Sequence, residues 1–296
     1  MDDALYLLGF SPKLHLHNSS PDPGLQGLNH SVGDPLAEVI DSNMVALLEQ
    51  FGIEKLEVGP VWAWFKRIER VDFEGPAGEK NLADIHWLTP RVIAHEKVVD
   101  QLSLQSSFYP ARFGTLFSNE SRLEAFIEQF SNHLLNFFQL VKGKKEWGLK
   151  FFGNHAQAAM ILAEREGIVQ QGVPVGGAKY LKLKQLQRES SKAKSDFFTA
   201  NLHEAIHSLG SQFSDLIARP IHATTQEAAQ GELLSNIAVL VSDDEPNSIV
   251  LWAERWNNTK PLSSGIQVEL TGPWPAYSFC PSLTNETANE ATRRAA

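Results

Sequence analysis

The chain has 296 residues, 43% of them hydrophobic and 21% charged, with a formal net charge of −9 and one cysteine. That length accommodates two ordinary domains, since domains commonly run to about 100–150 residues, and the balance is that of a globular chain rather than a disordered one. The acidic excess argues against a nucleic-acid backbone or an anionic membrane as the main partner, and a lone Cys280 rules out internal disulfides and thiolate-rich metal centres.

The opening MDDALYLLGF has two acids where a secretory signal carries bases. No apolar run reaches the roughly 20 residues of a membrane helix, so the cytoplasm is the expected location. Tyr6 to Phe10 predicts a strand, and the Pro-, Gly- and Ser-rich SPKLHLHNSSPDPGLQGLNHSVGDP after it predicts a long loop. Leu36–Ile40 and Met44–Leu48 read as short strands or a strand and a helix, and VGPVWAWFKRIERVDF has the aromatic and β-branched density of strand. Thr89 is placed to cap a helix from Pro90 to about Leu104, with Pro90 at its first position and Val92, His95, Val99 and Leu102 at helical spacing. FYPARFGTLF puts Tyr109, Ala111, Phe113, Thr115 and Phe117 on one face of an edge strand, which closes an N-terminal α+β domain over residues 1–117.

From Ser118 the period changes: Leu123, Phe126, Ile127, Phe130, Leu134 and Phe137 form the stripe of a long helix. Then come a strand (EWGLKFF), a helix from about Tyr180 to Gln212, strands in DLIARPIH and LLSNIAVLVS, a helix from Pro246 to Asn257, and a strand in IQVELTG. The order β-α-β-β-α-β is that of a ferredoxin-like antiparallel sheet covered on one face by two helices. The expected fold is therefore α+β, with a second domain over 118–281 led by the long helix and a disordered tail over 282–296.

LHEAIHSLGSQF contains H-E-x-x-H, the zinc-peptidase spacing that sets two histidines one turn apart with a glutamate as base. His203, Glu204 and His207 fit it, but Phe213 stands where a third histidine belongs, and Glu227 is the available substitute ligand. Helical geometry places Lys192, Asp196, Thr199, His203, His207 and Gly210 on one polar stripe beside an apolar one of Phe198, Leu202, Ile206, Leu209 and Phe213. A solvated helix face is the reading adopted, with a zinc metallopeptidase as the alternative. GVPVGGAKY lacks the G-K-[ST] of a phosphate loop and reads as a helix-capping turn, and KYLKLKQLQRESSKAK reads as a solvated helix face. His95 reads as a core histidine, with Arg91 and Glu96 as candidate partners. A small-molecule sensor on the ferredoxin-like fold is a third class to weigh, because that fold hosts many functions.

Five segments in order, WLTPRVIAHEKVVDQL, YPARFGTLFSNE, EWGLKFF, GGAKYLKLKQLQRES and ELTGPWPAYSF, resemble the gas vesicle protein F/L family from about Leu5 to Pro281. The family comprises accessory proteins of the gas-filled shells that float aquatic microbes. The resemblance implies two α+β domains, no catalysis and no cofactor or metal, a place at the gas vesicle in the cytoplasm, and gas vesicle shell protein A and other accessory proteins as partners. The motif residues it singles out as structural or interface positions are Arg91, His95, Arg112, Phe113, Gly114, Trp147, Gly148, Gly272, Pro273, Trp274 and Pro275. Physically, Arg112 needs a carboxylate or carbonyl partner, Gly114 allows close backbone approach, and Pro273, Trp274 and Pro275 form a stiff turn carrying an apolar plate. Trp62, Trp64 and Trp274 are the candidate interface anchors.

Overall fold

The computed structural model describes residues 3–16, 38–40, 42–165, 177, 191–221 and 231–284. The chain divides into two compact units, one of residues 1–143 with 275–296 and one of residues 144–274. Each unit is built on its own antiparallel sheet.

In the first unit, β1 (Asp3–Pro12) pairs on one side with β5 (Val61–Glu69), which forms a hairpin with β4 (Glu54–Val58). The unbroken apolar run of β1 follows from burial on both faces, because such a strand has no solvent side to make polar. Its Tyr6 and Leu8 pack with Val98, Val99 and Leu102 of helix α3 (Ile85–Gln105). Its Phe10 stacks on Phe126 of helix α4 (Glu120–Val141), with ring centroids 6.0 Å apart. Helices α1 (Ser42–Phe51) and α2 (Gly75–Ala83) complete the α3 side, and two short strands, β2 (Leu14–Leu16) and β3 (Glu38–Ile40), pair in parallel.

Three expectations change here. Helix α3 begins five residues before Pro90: the Asp84 side chain accepts the His86 N–H at 2.9 Å and caps it, so Thr89 lies inside the helix and Pro90 is an interior proline. FYPARFGTLF is two short pairings rather than one strand, β6 (Tyr109–Pro110) and β7 (Leu116–Phe117), laid along the same edge of β1 with a turn between them. Alternation persists on either side of that turn, which is why the sequence period conceals it. Helix α4, expected to lead the second domain, is grouped with the first unit, where Phe126 also meets Phe117 and Phe137 meets Tyr109.

The second unit runs β8 (Lys144–Gly153), α5 (His155–Arg165), α6 (Ser191–Gly210), β9 (Leu216–Ala218), β10 (Glu232–Ser242), α7 (Asn247–Thr259), the short α8 (Pro261–Ser264) and β11 (Ile266–Trp274). The sheet order β11-β8-β10-β9 puts the first and third strands of the unit at the centre, the order of a split β-α-β sheet, and every neighbouring pair is antiparallel. Leu149, Phe151, Ile237, Val239, Ile266 and Val268 line one face and pack on Phe198, Leu209, Ile249, Trp252 and Trp256 of the helices. The expected helix from Tyr180 is described from Ser191; its start, Glu227, and the tail beyond Thr284 lie outside the described residues.

Candidate functional site

Three of the motif residues converge in the first unit. Arg91, His95 and Phe113 line a cavity of about 300 Å³ with Tyr6, Leu8, Phe51, Ile53, Phe73, Ala94 and Val98. Lys66, Glu69 and Arg91 at its margin are exposed, and Asp72 is half-buried. His95 is 3% exposed and uses both ring nitrogens. Its Nε2 lies 3.1 Å from the Ala111 carbonyl, which can only accept, so Nε2 carries the proton and Nδ1 accepts from the Tyr6 hydroxyl at 2.8 Å. Burial lowers the His95 pKa, so the neutral ring is the folded form; the Ala111 bond acts the other way and is smaller. Burial raises the Tyr6 pKa, and the Gly114 backbone amide bonded to its oxygen partly opposes that.

The network ties α3 to β1 and to the β6–β7 turn. Gly114 has φ 82°, and a Cβ there would meet nothing within 4 Å, so glycine is required by the left-handed backbone and not, as expected, by close approach. Around it Tyr6 contacts Phe73 and Phe113 at centroid distances of 5.3 and 5.8 Å. Arg91 lies 3.9 Å over the Trp87 ring and donates to the Trp87 carbonyl at 3.0 Å, so its bonds run to its own helix rather than to His95. Arg112 is exposed and lines a second cavity, of about 430 Å³, with Tyr109 and Phe126.

Trp147, Gly148, Gly272, Pro273 and Trp274 lie toward one end of the second unit's sheet, and Pro275 opens the segment grouped with the first unit. At Gly148 on β8, a Cβ would stand 2.4 Å from Arg219 Nη2, so glycine gives that guanidinium its path to Glu146, 3.5 Å away. Trp147 is half-buried against the helix-side core. Gly272 and Pro273 join through a cis peptide, Pro275 is buried, and Trp274 is 48% exposed, with its indole N–H 3.4 Å from Thr271 Oγ1. The other two candidate anchors are corrected. Trp62 and Trp64 are 4% and 2% exposed, lie in the core under α3, and donate to Glu57 and Ser11. Two tryptophans at i and i+2 share one face of a strand, and that face is the covered one.

In α6, Lys192, Asp196, Thr199, His203, His207 and Gly210 are all exposed, as the polar stripe requires. Glu204 is engaged by Lys260 Nζ at 2.5 Å. Among the described residues no three His, Cys, Asp or Glu side chains gather as a metal site. Sequence reading missed Tyr6, whose signal was a hydroxyl set within a leucine-rich buried strand, where it must find a partner. It also missed Asn257, whose side-chain amide donates to the Val268 carbonyl at 2.7 Å and accepts the Val268 N–H at 2.9 Å, closing part of the β11 edge.

These features define an α+β protein with two sheet-based units, in which most motif residues form a buried network, turns and strand ends. The chain belongs to the GvpL/GvpF family of gas vesicle synthesis proteins, whose family model matches residues 37–281. It is 24% identical over 222 residues to gas vesicle protein L of Streptomyces sp. (strain CB03234), covering 74% of this chain and 79% of that protein. It is 23% identical over 218 residues to gas vesicle protein L1 of Halobacterium salinarum, covering 68% and 73%. The fold is similar to crystal structures of GvpF from Anabaena sp. PCC7120, with TM-score 0.54, 14% identity and coverage of 95% and 97%, and from Microcystis aeruginosa, with TM-score 0.54, 15% identity and coverage of 94% and 99%.

Proposed function

We propose that this protein is a gas vesicle accessory protein that binds the small apolar shell subunit, gas vesicle shell protein A, during nucleation or assembly, and that it acts by binding rather than by catalysis. The observation that carries the reading is the family match over residues 37–281. A shell that encloses gas needs a subunit with a very apolar surface, and such a subunit needs cover before it is assembled. The site is the vesicle in the cytoplasm; among the described residues no helix is long and apolar enough to cross a membrane. Other accessory proteins are second candidate partners.

Apolar contacts at roughly 25 cal/mol per Å² dominate such an interface, so binding is expected to change little with salt, whereas attraction to the acidic surface would weaken as salt rises. The test is co-expression with the shell subunit, followed by co-purification at low and high salt, together with deletion of the gene in the producing cell. Normal buoyant vesicles in a deletion strain lacking an overlapping paralogue, with no co-purification, end the reading.

A further inference from the structure

The cavity of the first unit has the anatomy of a side-chain receptor. Its walls are apolar and aromatic, and the rings are held against one another: Phe73 meets Tyr6 at 5.3 Å and Phe113 at 5.9 Å, and Phe113 meets His95 at 5.7 Å. Preformed walls spare a ligand the cost of ordering them. The polar floor is already paired, since the Tyr6 hydroxyl and both His95 nitrogens are used internally. A hydrogen-bonding ligand would have to break those bonds, whereas an apolar group gains by displacing water. About 300 Å³ is at the lower end of the range of pockets that hold small molecules, and suits one large side chain better than a cofactor. The margin carries both signs, Lys66 and Arg91 against Glu69 and Asp72, which selects neither a free anion nor a free cation. An apolar pocket inside a mixed charged rim is the arrangement of an interface hot spot within its polar ring.

We infer that this cavity receives one large aliphatic or aromatic side chain of the gas vesicle shell subunit, presented on a segment whose flanking residues carry charges of both signs to meet the rim. The inference rests on the shell-binding reading above and gives it a place: α3, β5 and the 3-10 turn Arg70–Asp72 that supply the cavity's wall and rim. Trp274 is then secondary to this site.

Ala94, half-buried on the α3 wall, allows the space to be filled from inside. Ala94→Phe is expected to leave the thermal midpoint equal or higher and to weaken co-purification of the shell subunit about tenfold or more. Glu69→Lys, an exposed rim change that leaves the core alone, should weaken it about threefold, and the loss should shrink at high salt. Trp274→Ala should weaken it less than either. If the unmodified protein captures the subunit and Ala94→Phe, folded by circular dichroism, captures it equally well, the cavity is not the receptor. If the unmodified protein captures no shell subunit, the shell-binding reading has failed and the cavity proposal falls with it. Should Ala94→Phe prove unfolded, Glu69→Lys decides alone: unchanged capture at low salt overturns the proposal. A midpoint raised by free indole and unaltered by the shell subunit would make the cavity a small-molecule site and equally overturn it.

Discussion

The Ala111 carbonyl fixes His95 in one tautomer, with Nδ1 left to accept from the Tyr6 hydroxyl, and burial of that ring sets how the first unit answers to acid. Burial holds the folded His95 below its ordinary value of about 6.5, so the unfolded chain takes up the proton first as pH falls. The contribution is therefore complete above about pH 6.5 and is lost as pH drops toward the folded value. Glu96 and Asp100 act oppositely: burial raises both, so their contribution is present in acid and is lost as pH rises through the raised values. Comparing the unmodified protein with His95→Gln removes their share, and the difference in urea stability between the two should narrow from pH 7 to pH 5.5. A constant difference would mean that His95 is not the titrating group. Tyr6→Phe, which strips the donor and leaves Nδ1 unpaired, should cost about 1–2 kcal/mol at pH 7. Burial similarly separates the tryptophans: Trp64→Ala should cost about 3–5 kcal/mol in chemical denaturation, while Trp274→Ala should stay within about 1 kcal/mol.

At the scale of elements, the start of α3 provides a direct test between sequence signal and structure. Asp84→Ala should cost about 1 kcal/mol by loss of the cap, and Thr89→Ala should be near neutral in the same urea titration. The sequence signal misled because a Thr-Pro pair is a strong start mark, whereas an interior proline, which loses a hydrogen bond and crowds the carbonyl four residues back at about 3 kcal/mol, is carried here by the burial of Val98, Val99 and Leu102. Elements with an uninterrupted period were legible: the stripe of α4 and the strands β8, β10 and β11 lie where the residues place them. Elements whose boundaries are set by turns were not. The β6–β7 turn depends on the left-handed backbone of Gly114, which alternation cannot reveal, and the attachment of α4 depends on Phe126 and Phe137 finding rings distant in sequence. Of the candidate site, the residue identities at Arg91, His95 and Phe113 were visible, but their meeting with Tyr6 was not, because 89 residues separate Tyr6 from His95. Asn257 was hidden for a different reason: Val268 is only 11 residues on, but it lies on another element, and no helix or strand period marks a side chain that bonds a neighbouring strand's backbone. Asn257→Ala leaves the Val268 N–H and carbonyl without their side-chain partner, and should lower the thermal midpoint and speed amide exchange at Val268.

For the whole molecule, the second unit is one continuous stretch, while the first is completed only when the chain returns to it at Pro275. The returning segment is held by specific bonds: the Tyr277 hydroxyl donates to Glu96 at 3.3 Å, and the Pro281 carbonyl accepts from the Tyr109 hydroxyl at 3.0 Å. Tyr277 also packs against the core beneath α3. The stability of the first unit thus depends on residues synthesised after the second unit's sheet. A chain ended after Trp274 loses those contacts but keeps every residue of the second core, from Leu149 to Val268. In hydrogen exchange, the truncated chain should lose protection in α3 and at β6 by about tenfold or more, while β8 and β10 keep theirs. A chain ended after Thr284, which retains Tyr277 and Pro281, is the control and should match the full protein at both places. Equal loss of protection across both sheets in the Trp274-terminated chain would show instead that the two units unfold as one, and unchanged α3 exchange would show that the returning segment adds nothing to the first.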